Sequence, residues 1–120
     1  MTHPVLWFEV MGTNGETLRS FYSSLFKWTF KVNGPMQYGE ASTGDERGIS
    51  GGVGQVGAGD KPWGATFYVA TPNVANSLAE AERLGGKTVV PAMAIGGDMT
   101  IGLFADPEGH VIGLVERKAA

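Results

Sequence analysis

In the stretch "VLWFEVM", residues 5–11, period-two alternation places Trp7, Glu9 and Met11 on one face of a strand: an indole, a carboxylate and a thioether in a row. Were that face to turn inward, a carboxylate set among aromatics would lose hydration. Its pKa would then rise toward the range in which it can take and return a proton near neutrality, so Glu9 is the candidate general acid or base. The competing readings for Glu9 are a pairing with lysine or arginine, or a place at an exposed edge. In the second half of the chain, Thr66 and Tyr68 share one face of "ATFYV" and add a hydroxyl and a phenol as hydrogen-bonding groups. The two histidines, His3 in a terminal segment and His110 just past a turn glycine, read as surface side chains. The chain has no cysteine, which excludes a thiol nucleophile, a disulfide framework and a thiolate metal site. Any metal would need imidazole or carboxylate ligands.

These groups must be carried by a scaffold, and the chain shows one by repeating itself. "FEVMGTN" at residues 8–14 and "FYVATPN" at residues 67–73 share Phe, Val and Asn at a constant offset of 59 residues. Each copy is followed by a helical pattern, "GETLRSFYSSLFKW" and "VANSLAEAERLGG". Asn14 and Asn73 are suited to cap these helices, and Gly85-Gly86 to end the second. Leu18, Phe21, Tyr22, Leu25 and Phe26 form one apolar stripe on the first helix, expected to be core; Val74, Leu78, Ala81 and Leu84 do the same on the second.

Short strand-like runs follow each helix: "TFKV", "MQYGEAS" and "GISGGVGQV", then "KTVVP", "MTIGLFA" and "HVIGLVE". Turn chemistry separates them at Asn33-Gly34, Gly96-Gly97-Asp98 and "DPEG". The pairs Gly51-Gly52 and Gly96-Gly97 lack the setting of a phosphate loop and are expected in turns or bulges. In "FADPEGHVIGLVE" the final strand carries a bare glycine, Gly113, where a side chain should point inward. Each half therefore reads β-α-β-β-β, with "GAGDKP" as the connection between them.

A chain of 120 residues, 42% hydrophobic, suits one domain spanning 1–120, with modules at about 4–57 and about 62–117. A net charge of −3 with nine scattered Lys and Arg argues against nucleic acid, and no apolar run is long enough to cross a membrane. The expected setting is the cytoplasm.

A duplicated β-α-β-β-β unit with "FYSSLFKW" on the first helix and "DPEGHVIGL" at the last hairpin resembles the vicinal oxygen chelate superfamily. That group includes glyoxalase I, extradiol dioxygenases and the fosfomycin and bleomycin resistance proteins. The resemblance implies an α+β fold in which two βαβββ modules form a curved mixed sheet around a cup. Tyr38 on the third strand is then expected to face inward beside Trp7, Glu9, Thr66 and Tyr68, with Met93 on a loop at the lip and Trp63 packed over the module junction. Enzymes of the superfamily hold a divalent metal in the cup with ligands from four strands, and the matching positions here are Trp7, Thr66, Gly52 and Gly113. None of the four is a usual donor. The resemblance thus implies a small-molecule-binding protein, a homodimer, with no cofactor. The alternative is a lyase, isomerase or dioxygenase of the same superfamily, acting through Glu9 or through a metal held in some other way.

Overall fold

The structure, a computed structural model, describes residues 2–33, 37–95 and 99–117. Its elements run β1 (Val5–Gly12), α1 (Gly15–Phe26), β2 (Thr29–Asn33), β3 (Tyr38–Ser42), β4 (Gly51–Gln55), then β5 (Gly64–Thr71), α2 (Val74–Arg83), β6 (Lys87–Ile95), β7 (Met99–Ala105) and β8 (Val111–Glu116). The β-α-β-β-β order expected from the sequence is present twice. Two compact units result, one of Trp7–Thr66 and the other of Phe67–Ala120 together with Met1–Leu6.

In the first module the strand order is β2-β3-β4-β1, and in the second it is β5-β8-β7-β6. Both are mixed. The first and last strands of each module run parallel, β1 with β4 (Glu9 opposite Gly52) and β5 with β8 (Tyr68 opposite Gly113), while the other pairs are antiparallel. A parallel pair needs a long crossover, and it is supplied by α1, β2 and β3 between β1 and β4, and by α2, β6 and β7 between β5 and β8.

Both helices start as their sequences dictate. The Asn14 side chain accepts from the Thr17 amide at 3.0 Å, and the Asn73 side chain from the Asn76 amide at 2.9 Å. α2 stops at Gly85, whose φ of 106° lies in the left-handed region. On its inward face Val74 and Leu78 are buried with Leu114, flanked by Val69 and Phe104. Leu84, beyond the last turn, is 64% exposed.

α1 departs from expectation. Phe21, Leu25 and Phe26 are 57%, 56% and 52% exposed, so its aromatic stripe is not core. The buried residues of this helix are Gly15 and Arg19. The Arg19 guanidinium reaches inward, donating to the Gln37 carbonyl at 2.6 Å, to the Val53 carbonyl at 3.4 Å and to the Gln37 side-chain oxygen at 3.3 Å. The helix is thereby docked along its Gly15–Arg19 side, and the aromatic rings pack on one another and on Trp28.

Two smaller expectations also change. Strand β6 continues through Ile95, so Met93 sits on a strand opposite Ile101 rather than on a loop. Gly51 and Gly52 lie inside β4 rather than in a turn or bulge. The Asn33-Gly34 and Gly96-Gly97-Asp98 turns fall partly or wholly outside the described residues. The "DPEG" turn closes as read: Asp106 accepts from the amides of Glu108 and His110, each at 2.9 Å, and Gly109 has φ 92°. His110 is a surface side chain, its ring nitrogen 3.0 Å from the Asp106 carboxylate.

Candidate functional site

Alternation along β1 turns Glu9 into the interior of the first module, where it is 6% exposed; the exposed-edge reading of this residue is excluded. Two aromatic residues from other parts of the same unit reach it. The Tyr38 hydroxyl, from the first residue of β3, donates to one carboxyl oxygen at 3.0 Å, and the Trp63 indole N–H donates to the other at 3.0 Å. Trp7, two residues before Glu9 on the same strand face, donates its indole N–H to the Tyr38 hydroxyl at 2.9 Å. The result is a continuous chain, Trp7 to Tyr38 to Glu9 from Trp63, in which a phenol both accepts and donates. Burial, and then the nearby Glu9 carboxyl, push the Tyr38 phenol above its usual range. It is held as the neutral proton donor.

The structure thus joins three of the residues expected from the sequence, Trp7, Glu9 and Tyr38. It adds Trp63, which was assigned to packing at the module junction. Its signal was faint, since "GDKPW" lies outside any periodic segment and an indole N–H reveals its partner only in three dimensions. Of the other expected residues, Thr66 is buried at 8% exposure on β5 in the same unit, and Tyr68 is buried at 6% on β5 in the second unit. Met93 is 46% exposed on β6, in the second unit.

Gly52 and Gly113 are explained by the same device in both modules. A Cβ on Gly52 would lie 1.8 Å from the Tyr38 hydroxyl oxygen and 2.0 Å from its Cζ; a Cβ on Gly113 would lie 2.5 Å from ring carbons of Tyr68. Each glycine is the floor on which a tyrosine ring from another strand of its own module lies. The slot that an inward side chain of β4 or β8 would fill is taken by that ring. At the four positions where the resemblance places metal ligands the chain thus offers an indole, a hydroxyl and two glycines whose side-chain space is filled. Among the described residues no three His, Asp or Glu side chains gather in a group that would hold a metal ion. This residue set does not fit a divalent cation.

Elsewhere in the second unit a cleft of about 330 Å³ runs beside α2, floored by Val69, Phe104 and Leu114 and rimmed by Ala81, Leu84 and Pro107. None of the expected site residues lines it.

With this geometry in view, comparison with known proteins places the fold. No family model matches the chain, and no curated protein does. Solved structures do. A glyoxalase/bleomycin resistance protein/dioxygenase superfamily member from Vibrio splendidus aligns with TM-score 0.64 at 11% identity, over 97% of this chain and 100% of that one. A hypothetical protein from Bacillus halodurans aligns with TM-score 0.70 at 9% identity, over 100% and 98%. Methylmalonyl-CoA epimerase from Mycobacterium tuberculosis aligns with TM-score 0.60 at 12% identity, over 97% and 88%. The chain therefore has the vicinal oxygen chelate fold. At these identities the likeness is one of fold, and activity has to be argued from the site. No helix among the described residues is long and apolar enough to cross a membrane.

Proposed function

We propose that this protein captures a small planar or amphipathic molecule at Trp7, Glu9 and Tyr38, assisted by Thr66 of the same unit, without the divalent metal of the superfamily's enzymes. The observation that carries the reading is the Glu9 carboxyl, buried and held at both oxygens by aromatic donors. Ligand sites combine apolar walls with a few placed polar groups, and a carboxylate framed by two indoles and a phenol is that combination in miniature. The metal-free part rests on Gly52 and Gly113, where rings occupy the space that ligands would need. The protein is expected to act in the cytoplasm as a homodimer.

A second reading has one specific observation behind it. The Tyr38 hydroxyl and Glu9 carboxyl form a hydrogen-bonded acid and base 3.0 Å apart, the arrangement that proton abstraction and return in a lyase or isomerase requires.

Elemental analysis of protein purified without chelator, with melting curves in the presence and absence of Ni, Mn, Zn and Fe(II), tests the metal-free part. Bound metal near one equivalent, with a lowered melting temperature on its removal, refutes it. A thermal-shift screen of small aromatic and amphipathic compounds tests the capture; it includes methylmalonyl-CoA, the ligand of one structurally similar epimerase. For any hit, Glu9→Gln should weaken binding. If the same variant abolishes turnover of the hit, the acid-base reading replaces the binding one; hits whose binding and turnover are both unchanged in Glu9→Gln refute both.

A further inference from the structure

The cleft beside α2 has no part in the site proposed above. Its floor residues Val69, Phe104 and Leu114 alternate along their strands with Tyr68, Leu103 and Gly113, so it opens on the face of the second module's sheet opposite the Tyr68 ring. The N-terminal segment contributes to it: the Ala70 amide donates to the Pro4 carbonyl at 2.9 Å, and His3 lines the cleft from there. Apolar surface inside the cleft is incompletely covered. Val69 and Phe104 pack against the buried cluster of Val74, Leu78 and Leu114 yet stay only partly buried, and Leu84 on the rim is 64% exposed. At about 330 Å³ the space lies at the small end of ligand pockets, roughly 300–1,000 Å³.

The polar groups of the cleft stand at its two ends and select the occupant. In the first turn of α2 the Ser77 hydroxyl lies 2.6 Å from that of the buried Thr71. At the C-terminal end of α2 stands Asp106, followed by Pro107, whose Cγ would lie 3.9 Å from a Cβ on Gly85 just past the helix. Along the helix from Ser77 to Leu84 the cleft is about 10 Å long. Among the described residues no lysine or arginine lines it. Glu80 does, but Arg83 bonds both its carboxyl oxygens and offsets its charge. Asp106 is different: its hydrogen bonds come from the uncharged amides of Glu108 and His110, and from the His110 ring, which is charged only when protonated. The negative end of the α2 dipole lies at the same end of the cleft. Together they favour a cation there and oppose a carboxylate or phosphate.

We infer that this cleft is a second binding site, for a small primary amine with an apolar body up to about 10 Å long, the ammonium group at Asp106 and the body on Val69, Phe104 and Leu114. It is independent of Glu9 and Tyr38, which lie in the other unit, and stands whether or not those residues hold a ligand.

Titration of the full chain with phenethylamine, followed by amide NMR shifts at about pH 8, above the ordinary range of imidazole, tests the inference. 2-Phenylethanol and 3-phenylpropanoate serve as neutral and anionic probes with the same body. The amine should bind saturably, the alcohol about fivefold more weakly, and the carboxylate more weakly still. Ala81→Phe puts a ring into the cleft and should weaken amine binding about tenfold or more. Leu84→Ala, at an exposed position, should weaken it about threefold and carries the test if Ala81→Phe does not fold. Asp106→Asn keeps an oxygen for the turn amides and should remove the preference for amine over alcohol. Absence of saturable amine binding overturns the site. Equal affinity for amine and carboxylate, or a preference for the amine that survives Asp106→Asn, overturns the choice of a cation. A titration unchanged by both Ala81→Phe and Leu84→Ala overturns the location; if Glu9→Gln abolishes that titration, the amine is held in the first module, and the capture proposed there gains support while the cleft is lost.

Discussion

Replacing Gly52 by alanine asks a methyl group to occupy space that the Tyr38 ring already holds. The new carbon would lie 1.8 Å from the phenol oxygen and 2.0 Å from Cζ, far inside the roughly 3.5 Å of ordinary carbon contact, so the ring must leave. Leaving breaks two hydrogen bonds, from Trp7 to the phenol and from the phenol to Glu9. Each contributes about 1 kcal/mol net, and somewhat more where the partner is a carboxylate. Forced repacking adds about 1–3 kcal/mol. Alanine returns about 0.5–1 kcal/mol through the smaller chain entropy it gives the unfolded state. The expected net loss is about 3 kcal/mol, a fall in Tm of about 12 °C for a chain of this size. Urea unfolding followed by tryptophan emission and by circular dichroism measures it. The decisive comparison is Gly52→Ala in a Tyr38→Ala background, where the slot is already empty and the added cost should shrink to about 0.5 kcal/mol or less. Equal costs in the two backgrounds, or an unchanged wild-type-like stability of Gly52→Ala, would refute the claim that the glycine exists to seat the ring.

Two further outcomes follow from the same module. Because the Tyr38 phenol is pushed above its ordinary range on folding, its contribution to stability is present below the unfolded value of about 10 and is lost as pH rises toward the higher folded value. Alkaline titration of phenolate absorbance should therefore show a late-titrating phenol whose amplitude is lost in Tyr38→Phe; a late amplitude unchanged by this substitution sinks the assignment. Arg19→Met removes the donors to the Gln37 and Val53 carbonyls and should destabilise by about 2–3 kcal/mol, with little rescue by lysine, which lacks the fork. Gln37 holds a left-handed φ of 51° immediately before Tyr38. The Arg19 variant should therefore also bring the late phenol back toward ordinary pH, and stability loss without that shift would separate the helix contact from the site.

How much of this was legible in the sequence depends on the range of the interaction. The β-α-β-β-β repeat, the Asn14 and Asn73 caps, the "DPEG" turn and the α2 core face at Val74 and Leu78 rest on local chemistry and periodicity, and they stand as read. Alternation put Glu9 on one face with Trp7 and Met11, and the resemblance supplied the expectation that this face turns inward. The α1 stripe misled because an apolar periodicity shows that a face exists, and not which side docks; here a buried arginine with three oxygen acceptors from two other segments decided the matter. Trp63 was out of reach for the same reason. That Gly52 and Gly113 bring no side chain inward was visible in the sequence; what lies over them, Tyr38 over Gly52 and Tyr68 over Gly113, depends on a pairing register that no single stretch records.

The parallel pairing of first and last strands also governs the order in which the protein can assemble as it is made. Phe8 pairs with Gly51 and Tyr68 with Gly113, so β1 and β5 each wait through more than forty later residues for that neighbour. At synthesis rates of about 5–20 residues per second, each leaves the ribosome seconds before the partner that completes its ladder. Within each module the late strand is also central: β4 lies between β3 and β1, and β8 between β7 and β5. A nascent chain stopped just short of Val111 therefore lacks the common neighbour of two strands, with β5 and β7 both left with an unpaired edge in that module. Completion of β8 is the event that makes the second module, and a truncation that removes β8 (Val111–Glu116) would leave a chain prone to pair with the wrong partner.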